Sequence, residues 1–520
     1  DDPRPAKSAE VEARPFRDIP SPNFGLTSTI KHFKETEGFT KVYKLTNRLF
    51  TEHGPLFRGD ILFGGKPAVY TIDPDDFEKV FRSEGRYPRR PPILEIWREQ
   101  RKRRNYFVGV FSADGEEWYR IRKSIAPKIM RPKIIEENID NFIAVTKDTV
   151  ARFVQLNKDC GPNDHIPDLE GELSKWSTES NDGEEWYRIR KSIAPKIMRP
   201  KIIEENIDNF IAVTKDTVAR FVQLNKDCGP NDHIPDLEGE LSKWSTESIG
   251  TVAFDTRLGL YDDPIPPEAL QFINEVQNFF ALSHKLIFSA VHRIAGPYTL
   301  LGLCVDIDIP LFKKFLKCGD TILDIGQSFV EKKMMELKEM AEKGTDSSDN
   351  SQVVSVLAYL LTKEDLTPEE VNGHAIDVVA NGVDQTSITA LWWLYNLARF
   401  PQVQEKIYEE IQSVVGVDGE VTPHNLAKLH YLKASLKESL RLNPTAGTLG
   451  RILDQDVVLS GYTVPANTIV VMDFYCCALS GKYYKNSLDF QPERWLNKDK
   501  DENHPFTNLP FGFGTRMCLG

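Results

Sequence analysis

The chain has 520 residues, 40% of them hydrophobic and 27% charged, an ordinary composition for a globular protein with a sizeable core. A net charge of −12 argues against a nucleic-acid binder acting through its whole surface, and Arg101-Lys102-Arg103-Arg104 reads as a solvated basic face or a patch for an acidic partner or anionic lipid. Its 7 cysteines are odd in number and irregularly spaced, which favours a reducing compartment over a disulfide framework, and no apolar run approaches the roughly twenty residues of a membrane-spanning helix.

Residues 1–22 are rich in proline and charge and predict an extended leader; the aspartate at position 1 suggests a processed form or a fragment. Thr40 to His53 carries Val42, Leu45, Leu49 and Phe50 at helical spacing, and Leu56–Arg58 and Val69–Thr71 read as short strands. A helix restarts at Pro74 and runs to Phe81. Arg86 to Phe111 is proline-rich, basic and aromatic and receives no element.

Asp114 through Ser180 then recurs unchanged as Asp182 through Ser248, an offset of 182 − 114 = 68. Repeat architectures tolerate drift and need three or more units, so one identical copy indicates a recent duplication or an assembly artefact. Each unit predicts one helix around Gly-Glu-Glu-Trp (Trp118 or Trp186) and a second from Ile-Ile-Glu-Glu-Asn. One copy is expected to be looped out, at a closure cost of roughly 4 kcal/mol.

Pro267 to His284 predicts a helix; 286–315 is apolar without a clean period; Gly319 to Lys343 predicts another helix, followed by a mobile polar loop. Thr367-Pro368-Glu369-Glu370 is a capping box opening a helix to about Arg399, roughly 48 Å long. Its middle, Asn381-Gly382-Val383-Asp384-Gln385-Thr386, is a polar patch read as a place where the helix opens onto a ligand. Helices over 402–415 and 426–442 follow, the latter with Glu438 and Arg441 three apart on one face. Val457–Leu459, Tyr462–Val464 and Thr468–Met472 read as hairpins.

The chain closes on Phe511-Gly512-Phe513-Gly514-Thr515-Arg516-Met517-Cys518-Leu519-Gly520, too glycine-rich for helix or strand and suited to a tight loop against something flat and bulky. No Cys or His stands at zinc spacing from Cys518, so a single thiolate on a haem iron fits better than a zinc knot, with a buried structural cysteine as the alternative.

This loop resembles the Phe-Gly-x-Gly-x-Arg-x-Cys-x-Gly haem loop of the cytochrome P450 family. The resemblance extends to Glu438-x-x-Arg441 with Arg494 in Pro-Glu-Arg-Trp, and to Trp118-x-x-x-Arg122, duplicated as Trp186 and Arg190. It implies a mainly α fold with small β regions (α+β), one haem-binding domain over residues 23–520 with a minor β subdomain, haem b as cofactor and O2 as co-substrate. Cys518 is then the axial iron ligand, with Phe511 beside it, and Arg516, Trp118, Arg122 and Arg451 are haem contacts. Glu438, Arg441 and Arg494 form a buried structural triad. The family's helix after the ligand is expected to lie beyond Gly520, so weak haem binding by this chain is an expectation.

Lys433 and Lys437 resemble the pair with which the mitochondrial class receives an acidic, adrenodoxin-like ferredoxin. That class implies a lipophilic substrate (sterol, secosteroid or terpenoid-like), peripheral contact with the matrix side of the inner mitochondrial membrane, and no nucleic acid. The endoplasmic reticulum is the alternative if an N-terminal anchor has been lost. The implied activity is a monooxygenase. Asp384 matches the family's acid, but Gln385 stands where an alcohol is usual, beside Thr386, and an amide does not relay a proton as a hydroxyl does. This leaves an isomerase, a poorly coupled oxidase or an inactive haem-binding pseudoenzyme as alternatives.

Overall fold

The structure, a computed structural model, describes residues 13–22, 41–59, 68–91, 95–109, 112–129, 202–227, 234–254, 256–287, 310–342, 356–361, 366–416, 419, 421–496 and 504–518. Among these the architecture is mainly α with a small β part.

Residues 13–22, expected as leader, are packed. Ile19 is buried, Arg14 lies 3.7 Å over the Tyr462 ring, and its backbone joins Gly461 and Thr463. One apolar residue and one guanidinium thus hold a segment whose average composition is that of a tail. Helix α1 (Val42–His53) buries Leu45, Leu49 and Phe50 against strands β1 (Leu56–Gly59) and β2 (Ala68–Thr71). Helix α2 (Pro74–Arg82) is capped by Asp73, which accepts from the Asp75 amide at 3.0 Å, and has proline at its first position.

Within the segment that received no element lies α3 (Glu95–Arg103). Its stability is tertiary: Ile96 and Gln100 are buried, and the basic run is partly internal, with Arg101 on Asp377 and Arg104 on Asp324. The solvated-face reading therefore holds for Lys102, which is exposed, and not for Arg101.

Helix α4 (Gly115–Ile129) comes from the first copy of the duplicated unit, and α5 (Ile202–Asp227) and most of α6 (Leu237–Phe254) from the second. Helices α7 (Pro267–Ile287) and α8 (Pro310–Glu342) follow. α8 begins at Pro310, ahead of the predicted start at Gly319, because Gly319 is interior to it, where it lets Gln100 approach closely. After α9 (Val356–Leu361), α10 (Pro368–Arg399) opens on the capping box: the Glu370 amide donates to Thr367 Oγ1 at 3.3 Å and the Thr367 amide to Glu370 Oε2 at 2.9 Å.

α10 runs unbroken through its polar patch. Asn381 Nδ2 donates to the Asp377 carbonyl at 2.7 Å, and three residues past the patch Thr389 Oγ1 donates to the Gln385 carbonyl at the same distance. The glycine there serves packing: a Cβ at Gly382 would stand 2.7 Å from Ile249 of α6. Helix α11 (Pro401–Val414), a turn at Pro423–Leu426 and α12 (His430–Leu442) complete the helical part.

Strands β3 (Leu449–Ile452), β4 (Val457–Leu459), β5 (Tyr462–Val464) and β6 (Ile469–Met472) precede the short helix α13 (Phe474–Ala478). β4 and β5 form the predicted hairpin, turning at Ser460 and Gly461 with positive φ. β6 does not join them. It lies parallel to β2, with Ala68 opposite Ile469, and antiparallel to β3, in a sheet ordered β1-β2-β6-β3. Its residues are buried on both faces, so the short apolar run named a strand without naming its partner. The main helical core gathers α4 and α6 to α10, with Trp118, Phe254, Phe272 and Ile376 among its members; a second core fills the space between the sheet and α2.

Candidate functional site

Glu438 and Arg441 face one way on α12, and the turn at Pro492–Trp495 brings Arg494 and Trp495 to them. Glu438 Oε1 accepts from Arg441 Nη2 (2.7 Å), Arg494 Nε (2.8 Å) and the Gln491 amide (3.1 Å); Oε2 accepts from Arg441 Nε and Trp495 Nε1, both at 2.9 Å. Arg441 spends its remaining donors on the carbonyls of Ala478, Ser487 and Asp489. The group is charged, buried and fully hydrogen-bonded, the condition under which a buried ion pair is tolerated.

The C-terminal loop turns at Gly512 (φ 72°) and Gly514 (φ 75°), conformations that favour glycine. The Cys518 amide donates to the Phe511 carbonyl at 2.8 Å, closing the loop and presenting Cys518, Phe511 and Phe513 at the surface. Phe513 also packs on Phe81 and Phe506. Arg516 points inward, donating to the carbonyls of Pro88 (2.6 Å) and Ala113 (3.3 Å) and to the Asp114 carboxylate. Arg122 of α4 reaches the Met517 carbonyl at 2.7 Å, so α4 is stitched to the cysteine loop. Trp118 lies between, with the Arg516 guanidinium 4.0 Å and the Arg122 guanidinium 5.6 Å from its ring centre. Its Nε1 is buried and has no hydrogen-bond partner.

The charge balance here is uneven. The guanidiniums of Arg90, Arg98, Arg122, Arg451 and Arg516 crowd together, interleaved by the carboxylates of Asp114 and Glu84. Burial, with repulsion from neighbouring arginines, pushes Arg516 down to about 9 and Arg90 down to about 10. Arg451 pairs with Glu84 at 2.5 Å, yet burial still raises the Glu84 carboxyl. An excess of cations beside an orphaned indole N–H fits an anionic group with several acceptor oxygens, and the two carboxylates of haem b have that chemistry. Arg90, which sequence reading did not select, is signalled only by its place in Pro88-Arg89-Arg90-Pro91.

On α10, burial raises the Asp384 carboxyl to about 6; Gln385 is exposed and its amide donates to Asp384 Oδ2 at 3.4 Å, while Thr386 is half-buried. Lys437 is exposed and Lys433 half-buried on α12. Trp186 and Arg190, and all of the first copy after Ile129, lie outside the described residues. Among the described residues no helix is long and apolar enough to cross a membrane.

The sequence profile of the cytochrome P450 family matches residues 20–169 and 173–520. The chain therefore belongs to the cytochrome P450 family, whose members are haem-thiolate monooxygenases using haem b and O2. Several of the relatives it matches are named as mitochondrial. Sterol 26-hydroxylase, mitochondrial, of Rattus norvegicus is 27% identical over 90% of this chain and 73% of its own. Cholesterol side-chain cleavage enzyme, mitochondrial, of Ovis aries is 27% identical over 98% and 80%, and probable cytochrome P450 12b2, mitochondrial, of Drosophila melanogaster is 29% identical over 98% and 81%. These relatives support a mitochondrial protein.

Proposed function

We propose that the chain is a ferredoxin-driven monooxygenase of a sterol or similarly lipophilic molecule, associated with the matrix side of the inner mitochondrial membrane. The observation that carries this reading is the surplus of buried guanidinium beside the orphaned Trp118 Nε1, directly under the loop that presents Cys518. In this reading Cys518 would hold the haem iron through its thiolate, Arg90, Arg122, Arg451, Arg516 and Trp118 would hold the propionates, and Phe511 would lie beside the thiolate. Haem b, when bound, supplies the oxidising chemistry by which one oxygen atom of O2 enters the substrate. The chain's own part is to hold the cofactor, fix the backbone beneath it through Glu438, Arg441 and Arg494, exclude water and deliver protons. Asp384, held partly protonated near neutrality by burial, is the acid poised for that last task. Lys433 and Lys437 receive the ferredoxin.

The test is a reduced carbon monoxide difference spectrum together with product analysis on sterols with a ferredoxin and its reductase. A thiolate-type spectrum with an oxygenated product is expected; Cys518→Ser should abolish both, and a retained spectrum rejects the ligand. Charge reversal at Lys433 and Lys437 should slow reduction in a salt-dependent way, and unchanged rates reject the docking face.

The exposed Gln385, with its long amide contact to Asp384, favours a second reading, poor coupling of electrons to product. Gln385→Thr should then raise product formed per electron pair.

We also propose that the domain uses the first copy through α4 and the second from α5 onward. Deleting 130–197, which is 197 − 130 + 1 = 68 residues, joins Ile129 to Met198 and restores one unit. The shortened chain should keep its haem and unfold no earlier than the parent; loss of either shows that both copies are needed.

A further inference from the structure

Seen down its axis, α10 carries His374, Val378, Asn381 and Gln385 at i, i+4, i+7 and i+11, a single stripe along one face. Gln385 is exposed at one end of this stripe. At the other, roughly 16 Å away by helical rise, His374 is buried. Residues 104–109 press onto the helix there: the Phe107 ring sits 4.6 Å from the imidazole, edge to face, and a Cβ at Gly373 would come within 3.0 Å of Phe107 and 3.4 Å of Tyr106.

The buried layer is unusual in what it leaves unpaired. Both His374 ring nitrogens, the Tyr106 hydroxyl and Arg101 Nη1 are buried without a hydrogen-bond partner. Ion pairs hold its edges, Arg101 on Asp377 at 2.5 Å and Arg120 on Glu370. Burial and these two guanidiniums push His374 down to about 3, so its ring is neutral, with one donor and one acceptor. Native interiors leave few such groups unsatisfied, so a polar partner is missing from the layer.

We propose that His374, supported by Tyr106 and Arg101, anchors the hydroxyl at the far end of an elongated lipophilic substrate whose oxidised end lies toward Gln385. A hydroxyl both donates and accepts, matching the neutral imidazole, and the phenol and guanidinium supply further polar contacts. The spacing along α10 suits a rigid, flat polycyclic body with its polar group opposite the reacting carbon. Val378, between the two ends of the stripe, is partly buried against the main helical core. This assignment rests on the sterol-like reading above and makes His374 a specificity-determining residue.

The experiment is equilibrium dialysis of the haem-loaded chain against a labelled 3β-hydroxysterol and its 3-deoxy analogue, in wild type, His374→Phe and Tyr106→Phe. Wild type should prefer the hydroxylated sterol about tenfold. His374→Phe should reduce that preference below about twofold while leaving the deoxy affinity nearly unchanged. Tyr106→Phe, which removes one oxygen and little volume, should lower the preference part-way even if the histidine variant fails to load haem. Equal binding of both sterols by wild type means that ordered water occupies the layer and overturns the anchor, as does a preference that survives both substitutions. Binding of neither sterol by a spectrally normal wild type instead rejects the sterol reading, and the anchor with it.

Discussion

Two clusters of buried charge, one around Glu438 and one around Trp118, are opposites. Around Glu438 one carboxylate meets two guanidiniums, an indole and an amide, and every donor of Arg441 has an acceptor. Around Trp118 the guanidiniums outnumber the carboxylates, three of them (Arg90, Arg122 and Arg516) are driven below their ordinary range, and the indole N–H has no partner. The first cluster is complete within the protein and reads as scaffold; the second lacks an anion and reads as a binding site. Composition does not distinguish them, since both are built from arginine, acid and tryptophan. The count of satisfied groups does.

The largest test removes the centre of the complete cluster. Glu438→Gln leaves two buried guanidiniums uncompensated and should cost about 3–5 kcal/mol of stability, equally with and without haem, read by denaturant unfolding. A loss confined to the haem-loaded protein would erase the contrast.

Asp384 offers a third case, a carboxylate with burial but no guanidinium. Because its folded pKa is raised to about 6, the folded state holds the proton more tightly than the unfolded state, and its contribution to stability falls as pH rises from about 4 through 6. Asp384→Asn should flatten that slope and stabilise the protein at pH 7 by about 3 kcal/mol, seen in unfolding midpoints against pH. The same substitution should lower turnover, and an unchanged pH slope would mean that Asp384 is charged throughout.

The smallest effect has opposite signs in two states. Arg90→Met relieves crowding among cations and should stabilise the haem-free protein by about 1 kcal/mol, while weakening haem affinity about tenfold. Destabilisation in both states would place Arg90 in the scaffold class with Arg441.

Several parts of this picture were legible in the residues. The Thr367 capping box located the start of α10, the Ser460-Gly461 turn located a hairpin, and the glycines at 512 and 514 announced a tight loop, because each depends on short-range backbone chemistry. Glu438 and Arg441 could be paired from their spacing, since helical geometry sets which side chains share a face. Helix α3 was missed because its polar sequence is held by Asp377, Asp320 and Asp324, far along the chain. The α8 start was missed because an interior glycine reads locally as a break.

By itself, then, the sequence determined the helix caps, the turn positions, the cysteine loop and the family, all of which rest on interactions between residues within a few positions of one another or on fixed motif spacing. Only the tertiary structure decided that β6 pairs in parallel with β2, that Arg90 joins the guanidiniums around Trp118, and that His374 is buried with both nitrogens unpaired. Those features depend on which surfaces meet after some hundreds of intervening residues have folded. Burial and hydrogen-bond satisfaction are properties of that meeting, and no local pattern encodes them.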